Sequence, residues 1–143
     1  MSTAETFEQL SGGRLWSLLS WQQLAEFWAR LDRGAGWYLY AVGEPPPAAP
    51  ASAGEVDAFV ARIDELLRRE HLHDYCGIVY ADDLEQPRLV KIYDPNNLGS
   101  SCGTGKHPHP PGWIMSRLPP TEVARPGPLP ESRKRWWRAL FAR

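Results

Sequence analysis

Apolar residues return at helical spacing in two stretches of the chain. Between Ser20 and Arg33, Leu24, Phe27, Trp28 and Leu31 recur every three or four residues, the stripe that an amphipathic helix buries. Ser20 with Gln23 three residues on can cap its start, and Gly34 and Gly36 supply the stop. The second stretch opens at Ser52 and Glu55, a capping box, and carries Val56, Phe59, Val60, Ile63, Leu66 and Leu67 at the same period. Between and after the helices the pattern changes to short aromatic and β-branched runs bounded by turn residues. These runs are 36–43, 75–81, 88–93 and 113–118, and the middle two flank an acidic connection of hairpin length bearing Asp82, Asp83 and Glu85. The order predicts an α+β domain: a small mixed or antiparallel sheet of three to four strands, with two main helices on one face.

Proline marks where this pattern stops. Residues 44–51 hold four prolines and read as an extended surface connector. Residues 119–130 hold five more and read as a linker. The organisation expected is therefore a compact domain over 14–118, a proline-rich linker over 119–130 and a C-terminal segment over 131–143. If that last segment is helical, Trp136, Trp137, Leu140 and Phe141 fall on one side, with Lys134, Arg135 and Arg138 around the rest.

The chain has 143 residues, enough for one domain, and 43% apolar residues with seven tryptophans supply a core, which excludes global disorder. Its net charge of −1 argues against a surface that grips nucleic acid throughout. The charge is segregated, however: Arg133, Lys134, Arg135, Arg138 and Arg143 stand against Glu131 alone, so 131–143 is +4 and 1–130 is −5. Residues 1–8 lack the basic start and apolar run of a secretory signal, no window reaches the roughly 20 apolar residues of a spanning helix, and two cysteines make no disulfide framework. A cytoplasmic protein is expected.

The segment from Asp94 to Gly112, with four prolines and four glycines, is too long for an ordinary connection. Its first part, Asp94-Pro95-Asn96-Asn97-Leu98-Gly99, has Asp and Asn that close turns on their own backbone, a proline that fixes φ and a glycine that accepts positive φ, and suits a rigid, shaped surface. The glycines and lysine of 99–107 do not have phosphate-loop spacing, and Pro108 and Pro110 deny it the helix it needs. Cys102, His107 and His109 form C-x4-H-x-H, residue types that hold Zn or Fe, although no doublet has zinc-knuckle spacing. Cys102 between glycines could also serve as a thiol nucleophile, but no orienting third member is apparent. A metal- or thiol-dependent centre on these three residues is thus the competing expectation, and the main expectation carries no cofactor.

Two tryptophans beside arginines are the residue types that dominate protein interfaces. The expected binding residues are Asp94, Asn96, Asn97 and Trp113 from the long segment, with Arg133, Arg135, Trp136, Trp137, Arg138 and Phe141 from the tail. The partner expected is a larger protein with an acidic surface. Peripheral membrane contact through the tail, nucleic-acid stacking, and folding of the tail aromatics onto the domain itself are the alternatives. Oligomeric state is left open.

The stretch Gly77-Ile78-Val79-Tyr80, Lys91-Ile92-Tyr93-Asp94-Pro95-Asn96-Asn97-Leu98-Gly99-Ser100-Ser101-Cys102-Gly103 and Pro111-Gly112-Trp113-Ile114 resembles small accessory proteins encoded with nitrogenase genes in diazotrophic bacteria. That group brings no assigned catalytic residue. The resemblance implies a non-catalytic accessory or regulatory partner of the nitrogen-fixation system.

Overall fold

The computed structural model describes residues 6–97 and 110–141. The order of elements is α1 (Phe7–Ser11), β1 (Trp16–Ser17), α2 (Trp21–Arg30), β2 (Tyr38–Ala41), α3 (Ala53–Glu70), β3 (Val79–Ala81), β4 (Leu89–Ile92), a 3-10 turn (Pro95–Asn97), β5 (Trp113–Ser116) and α4 (Glu131–Phe141). The helix caps sit where their side chains dictate. Ser52 accepts from the Glu55 amide while the Glu55 carboxylate accepts from the Ser52 amide, and Ser20 accepts from the Gln23 amide.

All five strands pair antiparallel in the order β1-β3-β4-β5-β2. This corrects the expected count of three to four. The additional strand, Trp16–Ser17, is only two residues long, too short to show an alternation, and is defined by its pairing with Ala81 and Tyr80. α1 likewise escapes a periodicity argument at five residues, although Thr6 and Gln9 form a capping box at its start.

The pleat sends Leu39, Ala41, Val79, Ala81, Val90, Ile92, Trp113 and Met115 to one face, where they pack with the apolar stripes of α2 and α3. The other face carries Tyr40, Leu89 and Ile114, covered by Phe7 and Leu10 of α1. With both faces covered, β5 is buried at every position, which is why its sequence reads as an unbroken apolar run. On that second face Lys91 donates Nζ to the Ser11 carbonyl at 2.8 Å, a cation at the C-terminal end of α1. Burial pushes its amine below the ordinary lysine value.

α4 lies against the first face. Trp136, Trp137, Leu140 and Phe141 all pack on the cluster formed by α2, α3 and the sheet. Trp137 meets the edge of Phe59 with ring centres 6.1 Å apart, and Trp136 meets Trp113 at 5.4 Å. Among the described residues no helix is long and apolar enough to cross a membrane.

Candidate functional site

β4 and β5 are antiparallel neighbours, so the long segment joining them leaves and re-enters the sheet at the same end. Gly112 donates its amide to the Ile92 carbonyl at 2.9 Å and lies flat against Asp94. A methyl group on Gly112 would come within 3.1 Å of the Asp94 Cβ and 3.3 Å of its amide nitrogen. That is tighter than ordinary contact, so the two arms would have to move apart by a few tenths of an ångström to admit a side chain. Gly112→Ala should therefore spread the stem and cost about 1–3 kcal/mol, read as a lower urea midpoint at unchanged slope.

Asp94 then bends the chain. Its Oδ1 accepts from the Asn96 amide at 2.9 Å, closing the turn that the Asp-Pro-Asn sequence anticipates. The same carboxylate faces Arg133 of α4, which is 8% exposed. Arg133 donates Nε to Asp94 Oδ2 and Nη2 to Asp94 Oδ1, both at 2.8 Å, the two-pronged geometry that only a guanidinium supplies. Nη2 also reaches Glu70 Oε1 at 2.7 Å, and Nη1 reaches Glu70 Oε2 at 3.4 Å. Asn96 Nδ2 closes the ring by donating to Glu70 Oε1 at 2.7 Å. The guanidinium sits 5.8 Å from the centre of the Trp113 ring. One arginine thus ties together the last residue of α3, the stem of the 94–112 segment, β5 and α4.

The charges in this cluster satisfy one another. Each oxygen of Asp94 and Glu70 accepts at least one N–H, Glu70 Oε2 taking a second from Arg69 at 3.3 Å. The hydrogen bond from Arg133 holds the Glu70 carboxyl below its ordinary value, against the opposing effect of burial. The hydrogen bonds to Asp94 raise Arg133 above an already high value, so it stays charged. With Glu70 lowered and Arg133 raised, the charged forms of this pair are both favoured, and the cluster acts as a latch. Because the Glu70 value is depressed on folding, its contribution to stability is complete above its ordinary 4.5 and is lost as pH falls through the lower folded value. Acid titration should show unfolding midpoints falling below about pH 4.5, and Glu70→Gln should flatten that limb.

Of the expected binding residues, the structure brings Asp94, Asn96, Trp113 and Arg133 together in this latch. Trp136, Trp137 and Phe141 are half-buried against the core, and Arg135 and Arg138 are exposed. Asn97 ends the 3-10 turn. Cys102, His107 and His109 lie outside the described residues. Among the described residues no group of three or more His, Cys, Asp or Glu side chains is placed to hold a metal ion. Cys76 is fully buried, and burial pushes its thiol pKa up.

Glu70 was not anticipated, yet it had a signal. It is a carboxylate at a helix C-terminus, where the dipole disfavours it unless a cation comes from elsewhere.

The described residues also form several clefts, two of them of similar volume. One, of about 400 Å³, is lined by Trp21, Arg68, His71, Leu72, His73 and Asp74. His71 Nε2 lies 2.9 Å from the Cys76 carbonyl, and burial pushes its pKa below the ordinary histidine value, while Arg68 stacks on Trp21 and pairs with Asp64. The other, also about 400 Å³, lies between Tyr40, Glu44, Glu122 and Arg125. Neither brings a nucleophile to a base. No family model, no curated protein and no solved structure matches the chain.

Proposed function

We propose that this chain is a non-catalytic accessory protein that binds a larger protein partner through one surface, formed by the 94–113 segment and α4. The observation that supports this reading is the Arg133 latch. It spends a buried, self-satisfied ion network on fixing α4 to the stem of the long segment, and the carboxylates and guanidinium of that network are all engaged with one another. Such an arrangement orders a surface in advance, which lowers the entropic cost of binding. The resemblance of residues 77–114 to proteins encoded with nitrogenase genes makes a component of the nitrogen-fixation system the first partner to try.

The chain has three lysines, and their positions provide the test. Lys134 lies on α4 and Lys106 belongs to the 94–113 segment, whereas Lys91 is on the opposite face of the sheet against α1. Affinity capture with the full chain from nitrogen-fixing cells, followed by amine cross-linking and mass spectrometry, should yield a stoichiometric polypeptide joined to Lys134 and Lys106. A partner joined only to Lys91 or to the N-terminus contradicts the reading.

A further inference from the structure

The aromatic residues of α4 are turned inward, and that changes what its outer face can recognise. Trp137 and Phe141 pack on one another with ring centres 5.0 Å apart, and Trp137 packs on Phe59 of α3. Trp136 is covered by Trp113. With those rings engaged, the outward side of the helix carries Arg135, Arg138 and Ala139, with Lys134 at its margin.

α3 extends this face. Phe59 touches Trp137 and Glu70 touches Arg133, so the flank of α3 beside α4 is the row Phe59, Arg62, Leu66 and Glu70, at i, i+3, i+7 and i+11. Arg62 is exposed on that row, and Arg69 follows next to it. Several cations here are already compensated: Arg69 by Glu65 at 3.6 Å and Glu70 at 3.3 Å, and Lys134 by Glu131 at 3.7 Å. Among the described residues no carboxylate lies within ion-pair distance of Arg62, Arg135 or Arg138. A chain of net charge −1 thus exposes three uncompensated guanidinium groups on adjoining helices.

We propose that this α3–α4 ridge, carried by Arg62, Arg135 and Arg138, is the docking surface for a carboxylate-rich segment of the protein partner; the inference rests on the binding role argued above. Charge complementarity selects the occupant. Guanidinium groups pair two-pronged with Asp and Glu side chains. Single-stranded nucleic acid binds through exposed rings on which bases stack, and an interfacial membrane helix needs an exposed apolar face. Here the rings and the apolar side of α4 are half-buried against the core, whereas its exposed side carries the guanidinium groups.

The test uses the full chain and a fluorescein-labelled 20-residue peptide of alternating Glu and Ala, with binding read by anisotropy at low salt. Saturable binding is expected, weakened at least fivefold by Arg62→Glu or Arg138→Glu. Arg14→Glu makes the same change in net charge at the β1 edge of the sheet, beside Trp16, and should leave affinity within twofold. Equal weakening by all three substitutions, absence of saturable binding, or tighter binding of a 20-nucleotide oligo-dT would each overturn the proposal. Capture of the cross-linked partner also separates the two levels of argument. A partner retained undiminished by Arg138→Glu removes the arginine ridge but keeps the binding role, and failure of the wild-type chain to hold any polypeptide removes the binding role itself.

Discussion

Replacing Arg133 with methionine is expected to lower the free energy of unfolding by about 3–5 kcal/mol at pH 7. The substitution keeps a long unbranched stem of similar bulk, so little packing is lost. What is lost is the partner of two carboxylates, Asp94 and Glu70, whose side chains are only 12% and 21% exposed. Charges left uncompensated at such depth are costly, and the cost far exceeds what an exposed ion pair contributes. Two further outcomes distinguish this cause from a simple packing defect. The deficit should narrow as pH falls below 4.5, because a protonated Glu70 no longer requires the cation. Arg133→Lys should recover only part of the loss, since an ammonium cannot span both Asp94 oxygens and Glu70 with the fixed fork of a guanidinium. Urea unfolding of the three proteins across pH checks all of this. A deficit below about 1 kcal/mol would mean that the cluster behaves as a surface pair.

Phe59→Ala should be as severe, about 3–5 kcal/mol. Phe59 is 0% exposed and stands between the core under α3 and the Trp137 ring of α4. Its loss opens a cavity and removes the seat of α4 at the end opposite the latch. The double substitution with Arg133→Met should cost less than the sum of the two, because either change alone already loosens α4. Tryptophan emission gives a second readout, shifting red as Trp136 and Trp137 become hydrated. Additive losses with unshifted emission would show that α4 does not depend on both anchors.

Much of the fold can be read from local chemistry. The α2 and α3 stripes, the two serine caps, the β3–β4 hairpin and the buried β5 run follow from periodicity and capping, which depend on near neighbours in sequence. β1 is harder to read because two residues cannot show a period, and it exists as a strand only through β3. The binding side of the molecule divides in the same way. The Asp94–Asn97 turn and the amphipathic character of α4 are local properties. That Arg133 faces Asp94 and Glu70, 39 and 63 residues away, is set by how α4 returns to the sheet after the proline-rich stretch. Composition alone gives Arg133, Arg135 and Arg138 equal standing as outward anchors, whereas the fold buries the first and exposes the other two. Arg62 carried no signal of its own, because an arginine on a helix surface becomes informative only when its neighbour across space is known.

α4 is an integral part of the folded domain, held to the stem of the 94–112 segment by Arg133. Amide hydrogen exchange of the full chain, resolved over residues 131–141, measures this directly. An isolated 11-residue helix is marginal in water, so its amides would exchange nearly as fast as an unstructured peptide's. The latch predicts protection across the interior of α4 that approaches that of α3 and is lost in Arg133→Met; rapid exchange of α4 in the unaltered protein would contradict it.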